Sequence, residues 1–280
     1  MASIRGVRCI SKDTYAVFYV EEFSDDLKSV IRSQLSSICH GVSKATKSRK
    51  RYNYLNTLKS FLERYESKNE LIKIGMIGEL LTRIIVIIYF PDFMTVSPSF
   101  NTEEKSMPKG FDIMLYFDEE NELWFTEIKS GQLRDGKDSN ETNRELLIAA
   151  KNELKEELNK NDVSLWDNAI NKAKIALDRF TDTKLAVEDI IEDIMDETLE
   201  NQSSSKDKNV IIATNLFADL DDEIQSSEIE QFCSYTSNQE IFNKFYVIST
   251  QKQTYIEIYN FLKDEIKQWK GEDEVSLLQD

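Results

Sequence analysis

Apolar and polar residues change rhythm several times along this chain, and each rhythm predicts an element. Residues 14–23, "TYAVFYVEEF", are β-branched and aromatic and read as a strand. Ser24, followed by Asp25 and Asp26, makes a helix N-cap with an acidic first turn. Leu27, Val30, Ile31, Leu35 and Ile38 then share one helical face, and Gly41 supplies a stop. A loop leads to a helix at about 51–68. The next run, "LIKIGMIGELLTRIIVIIYF" at 71–90, is apolar nearly all round and is closed by Pro91. Its length suits a membrane span. Lys73, Glu79 and Arg83 would then lie at hydrocarbon depth, where charge is costly. The run is therefore read as a buried core helix over about 70–89.

Further on, 93–100 predicts a strand with Pro98 near its end, and 101–110 a polar loop. Residues 110–130, "GFDIMLYFDEENELWFTEIKS", are two strand-like runs around an acidic turn. Helical spacing returns at 142–158, 164–180 and 183–200. The apolar run 209–217 suits a buried strand. Residues 217–232 are acidic and partly helical, 244–250 read as a strand, and 254–270 as an amphipathic helix with a frayed acidic tail. No internal repeat is present. The order is helix, strand, hairpin, helices, strand. It mixes local antiparallel pairing with a crossover, which is α/β class. Residues 1–69 form an N-terminal α/β segment. Residues 70–280 form the main domain, with a helical insertion at about 140–205 and a C-terminal strand and helix.

Composition narrows the chemistry. With 280 residues, 40% of them hydrophobic, the chain can bury a sizeable core. Cys9, Cys39 and Cys233 are scattered, and His40 is the one histidine. That argues against a disulfide scaffold, a zinc site and Ser-His-Asp chemistry. The start, "MASIRGVRCISKDTY", has no apolar core of a secretion signal, so a cytoplasmic protein off the membrane is expected. The net charge of −16 would repel nucleic acid, but it is unevenly spread. Residues 1–75 carry 14 lysines and arginines against 8 acids, and the rest carry 21 against 43. Within "KATKSRKRYNYLNTLK" at 44–59, Lys47, Arg49, Lys50, Arg51 and Tyr52 make a candidate nucleic-acid patch, with phosphate contacts and a ring to stack. A solvated loop running into a helix accounts for the same residues.

The charges inside the hairpin raise the sharpest question. Glu-x-Lys occurs five times, at 66, 103, 127, 153 and 265, so the triplet alone is uninformative. On a helix, residues i and i+2 point apart. Only Glu127 and Lys129 lie in a strand-like run, where i and i+2 share a face. A four-residue turn at 118–121 would set Phe117 opposite Glu122, Met114 opposite Phe125, and Asp112 opposite Glu127. Facing side chains have Cβ atoms ~5 Å apart, so two carboxylates there repel. A divalent cation between them reverses the sign, and Mg²⁺ takes oxygen ligands. Lys129 would lie on the same face, opposite Gly110. A wet hairpin at the domain edge, with Lys129 merely paired to an acid, is the plainer alternative. Glu79 is a third candidate ligand, because Gly75 and Gly78 beside it suggest close approach in that helix. An i,i+4 pair with Arg83 on a solvated strip would also explain it.

Together, "GE" (Gly78–Glu79), "GFD" (Gly110–Asp112) and "EIK" (Glu127–Lys129) resemble the PD-(D/E)XK nuclease superfamily. That resemblance implies a restriction-endonuclease-like αβββαβ core and Mg²⁺- or Mn²⁺-dependent phosphodiester cleavage. It implies metal ligation by Glu79, Asp112, Glu127 and the backbone carbonyl of Ile128, with Lys129 as the catalytic lysine. One departure is that no proline precedes Asp112, where Gly110 and Phe111 stand. More narrowly, "GELLTR" and "KGFDIMLYFDEENELWFTEIKSG" behind a leading α/β segment are similar to HamA, the small subunit of Hachiman antiphage systems. This second resemblance implies a bacterial defence nuclease acting on DNA with a helicase subunit, HamB. The alternatives are a non-catalytic interaction subunit on a nuclease-like scaffold and an acidic α/β adaptor.

Overall fold

A computed structural model describes residues 3–99 and 110–277. Its first strands are β1 (Val7–Ser11) and β2 (Tyr15–Val20). Four helices follow, α1 (Asp25–His40), α2 (Val42–Ala45), α3 (Tyr54–Glu66) and α4 (Glu70–Tyr89). Then come β3 (Phe93–Thr95), β4 (Ile113–Phe117) and β5 (Glu122–Gln132). Helices α5 (Ser139–Leu158), α6 (Val163–Ala176) and α7 (Thr181–Leu199) lead to β6 (Asn209–Phe217). The chain closes with α8 (Ser226–Ser237), β7 (Lys244–Lys252) and α9 (Ile256–Leu277).

Among the described residues, seven strands form one sheet in the order β1-β2-β7-β6-β5-β4-β3. The central strands β2, β7, β6 and β5 run parallel, and antiparallel pairs close both ends. Strands β2 and β6 are buried at every position, as parallel strands covered on both faces must be. One core packs α5, α6, α7 and α8 on one face, around Trp166, Phe125 and Leu147. A second packs α1, α3, α4 and α9 on the other, around Phe18, Leu35, Ile77 and Leu262. The fold is α/β in three layers, and α4-β3-β4-β5-α5 through β6 follows the expected αβββαβ order, with α6 and α7 inserted.

Local signals explain most boundaries. The Ser24 side chain accepts from the Leu27 N–H, and the Gly41 N–H donates to the Ser37 carbonyl, so α1 begins and ends as its sequence directs. Asn53 and Asn69 cap α3 and α4 in the same way. Helix α3 starts at Tyr54, later than expected, because Lys50–Tyr52 form a separate 3₁₀ turn ahead of that cap. The strand expected over 93–100 shortens to Phe93–Thr95. Beyond it Pro98 has no N–H to give a ladder, and Ser97 uses its hydroxyl instead, accepting from the Met114 N–H at 2.9 Å. The final helix continues to Leu277, where a frayed tail was expected. The polar loop expected over 101–110 lies, except for Gly110, outside the described residues. Among the described residues no helix is long and apolar enough to cross a membrane.

Candidate active site

The β4–β5 hairpin has the register its sequence implies, with Phe117 paired to Glu122, Met114 to Phe125 and Ile113 to Thr126. A 3₁₀ turn over Asp118–Glu120 and a left-handed Asn121 (φ 50°) close it. Strand β4 begins at Ile113, so Asp112 stands just off its end. The Asp112 N–H still donates to the Thr126 carbonyl at 3.1 Å. Its side chain then turns in, and Oδ2 accepts the Ile128 N–H at 2.8 Å. In an antiparallel ladder the N–H and C=O of one residue face the same neighbour. The Ile128 carbonyl therefore also faces the place where β4 has left the ladder.

Alternation assigns the side chains to faces. Leu123 and Phe125 belong to the core beneath α5, so Glu127 and Lys129 project on that face too. Lys129 Nζ lies 2.7 Å from Glu127 Oε1 and 2.6 Å from Glu153 Oε2, which comes from α5. The lysine beside Gly110 is Lys172 of α6, not Lys129 as expected; its Nζ donates to the Phe111 carbonyl at 3.3 Å.

The electrostatics follow from burial. Burial, with the charge of Glu79 nearby, pushes the Asp112 carboxyl up to about 7. Burial and the charge of Asp112 push Glu127 up to about 9. Burial pulls the Lys129 ammonium down, but Glu127 and Glu153 outweigh it, and the group is held protonated. Lys129, and Arg83 at Asp112, pull the two acids back down, but burial and neighbouring acids outweigh them.

A stability consequence has a defined sign. Each of these carboxyls binds its proton more tightly in the folded protein than in the unfolded chain. Their stabilisation is complete below about pH 4 and is lost as pH rises through about 7 and 9. The metal-free protein should lose several kcal/mol across that window, and Glu127→Gln should flatten the loss. Urea denaturation at pH 5, 7 and 9 measures it; equal slopes for the two proteins would refute it.

Glu79 approaches from the opposite side, because α4 packs in the other core. The helix crosses β5 closely at Gly78, where a Cβ would meet Ser130 Oγ at 1.9 Å. Nothing lies within 4 Å of a Cβ at Gly75, so close approach explains only one of the two glycines. Arg83 Nε donates to Glu79 Oε1 at 3.0 Å, and the Ser99 hydroxyl donates to the same oxygen. The pair is not on a solvated strip, since the Arg83 side chain is 1% exposed. Its remaining nitrogens donate to the Ser97 carbonyl at 3.0 Å and to the Asp112 carbonyl. Arg83 thus ties α4 to the residue that positions the Asp112 carboxylate. Among the described residues, no three acid, histidine or cysteine side chains converge well enough to cage a metal ion. Asp112 lies within the field of Glu79, and Glu127 within that of Asp112, while the Glu79 carboxylate itself is hydrogen-bonded by Arg83 and Ser99.

The basic loop is more engaged than its sequence suggests. Arg49, Lys50 and Arg51 are exposed, but Lys47 pairs with Asp178 at 2.9 Å. The Tyr52 ring stands edge-on to His40 at 5.1 Å, with Arg51 over it at 5.7 Å. Sequence reasoning missed Arg83 as an anchor and set Glu153 aside as one of the helical Glu-x-Lys triplets. A basic residue inside an apolar run was the available signal for Arg83.

A family model for HamA matches residues 6–266. The chain belongs to the HamA family. Hachiman antiphage defence is therefore the context in which this HamA-family site is to be read. A search of curated proteins finds no match.

Proposed function

We propose that this HamA-family chain is a PD-(D/E)XK-type nuclease that hydrolyses DNA phosphodiester bonds. The observation that supports the reading is the Asp112 carboxylate on the Ile128 N–H, with the side chains of the flanking residues Glu127 and Lys129 paired to each other. The donor set fits Mg²⁺ or Mn²⁺: two carboxylates and the Ile128 carbonyl are hard oxygen donors, and burial holds both acids above their ordinary range even with Lys129 beside Glu127. Mg²⁺ commonly takes one or two protein carboxylates and fills its shell with water and substrate phosphate. When bound, the ion supplies Lewis acidity and lowers the pKa of water. Asp112 and Glu127 would hold it, and the Ile128 N–H fixes the Asp112 carboxylate. Lys129, held protonated, stabilises the charge that builds on the phosphoryl oxygens rather than acting as a base. Glu79 acts through Arg83 and the Asp112 backbone. Arg49, Lys50 and Arg51 contribute phosphate contacts, with Lys47 and Tyr52 at the edge of that patch.

Supercoiled plasmid with Mg²⁺ tests the reading. The unmodified chain should nick it, and Glu127→Ala and Lys129→Ala should each lose about 10²-fold or more in rate. Cleavage that survives in both variants would sink the assignment. A helicase partner with a basic surface fits the acidic outer face of α7, where Asp189, Glu192 and Asp196 are exposed. Failure of the two proteins to co-elute in size exclusion would remove that part. A non-catalytic scaffold role is favoured by one observation, the engagement of Glu79 by Arg83 and Ser99. Calorimetry with Mn²⁺ separates the two, since a scaffold subunit would show no binding heat.

A further inference from the structure

Two helices flank the hairpin end, and each brings a glutamate toward it. Glu79 on α4 lies against the face opposite the Glu127 and Lys129 side chains, and its Oε1 is taken by Arg83 and Ser99. Glu153 on α5 lies on the same face as Lys129 and contacts it at 2.6 Å. Of the two, Glu153 is the one that contacts Lys129.

The position of Glu153 is built rather than incidental. Helix α5 opens on a capping box at Asp138 and Glu141, which fixes its start. Asn143 is 1% exposed, and its side chain bonds Thr214 at 2.7 Å and Ser249 at 3.2 Å, on β6 and β7. Those bonds set the rotation of the helix against the sheet. Leu147, Ala150 and Leu154 then bury the inner stripe. Lys151 on one flank is held by Gln239 at 2.8 Å. With rotation fixed at these points, position 153 sits on the flank that overlooks Lys129, and its side chain keeps 49% of its exposure.

A lysine ammonium has three donors at the end of a four-carbon stem. Glu127 and Glu153 take two of them. We propose that Glu153 is a positioning residue of this site: with Glu127 it fixes the Lys129 ammonium and leaves the third N–H for a phosphate oxygen. The proposal rests on the phosphodiester-cleavage reading for its functional part. If Glu127 also turns toward a cation, Glu153 is the acid that keeps Lys129 in place.

Two measurements on the full-length chain test this. In a urea double-mutant cycle, Glu153→Ala and Lys129→Met should each lower the midpoint, and the double variant should fall by less than their sum. Additive shifts would overturn the contact. This arm does not depend on cleavage. In plasmid nicking, Glu153→Ala should lower kcat roughly tenfold to a hundredfold with KM nearly unchanged. Glu153→Gln, which keeps the acceptor and the length, should recover part of the loss. Unchanged kcat in both variants would overturn the positioning role, and so would faster cleavage, which would make Glu153 an inhibitor. If the unmodified chain fails to nick DNA, the nuclease reading falls, while the cycle still decides whether the contact exists.

Discussion

Arg83→Met should cost about 3–5 kcal/mol of stability, because it leaves two carbonyls without their donor and the half-buried Glu79 carboxylate without its cation. The guanidinium serves Glu79, the Ser97 carbonyl and the Asp112 carbonyl from a side chain only 1% exposed. Methionine fills much of the same volume and supplies no N–H. Removing the charge also withdraws a favourable field from Asp112, whose carboxyl should rise further. Thermal unfolding should show a fall of roughly 10 °C for a chain of this length. The double variant Glu79→Met with Arg83→Met should recover much of that, because paired apolar replacements avoid the unpaired charge. A loss below about 1 kcal/mol for the single variant would contradict the anchoring role. Arg83→Lys should not rescue, since a point charge cannot reach three acceptors as the planar fork does.

Two glycines three residues apart should respond with opposite signs. Gly78→Ala places a Cβ 1.9 Å from Ser130 Oγ, 2.7 Å from Ser130 Cβ and 3.1 Å from Asn215 Nδ2. Helix α4 must lift from β5 to admit it, at a cost of about 1–3 kcal/mol or more. The same displacement drags Arg83 away from the Asp112 carbonyl, so cleavage should fall even where the protein stays folded. Gly75→Ala meets nothing within 4 Å and should stabilise by up to about 1 kcal/mol through helix propensity. Ser130→Gly should rescue Gly78→Ala by removing the atoms it strikes. Equal effects at the two positions, read by urea denaturation, would show that the crossing is looser than described.

The hairpin was legible because its information is local. A four-residue turn and strict alternation fix the register as far as Ile113 and Thr126, which leaves Asp112 just off the strand end, where its carboxylate takes the Ile128 N–H. Helix α4 was legible from its apolar run and terminal signals. Strand β1 was not, because "VRCIS" is short, charged and only half buried at the sheet edge. Arg83 was misjudged, because an i,i+4 spacing from Glu79 looks the same on a wet face and in a core. Glu153 had no local signal. Its own Glu-x-Lys spacing on a helix points the two side chains apart, and only the tertiary fold brings it to the lysine of another such triplet.

Strand β7 carries a consequence for how the chain is made. It is the sheet's link between the β1–β2 hairpin and the strands β6, β5, β4 and β3. Until residue 252 has left the ribosome, β2 and β6 each expose an unpaired, apolar edge. A chain cut short before Lys244 keeps all of Asp112, Glu127 and Lys129, yet holds a two-stranded and a four-stranded fragment instead of one sheet. Synthesis of Lys244–Lys252 is thus the step that lets the two fragments join into one sheet, long after Asp112, Glu127 and Lys129 have been translated.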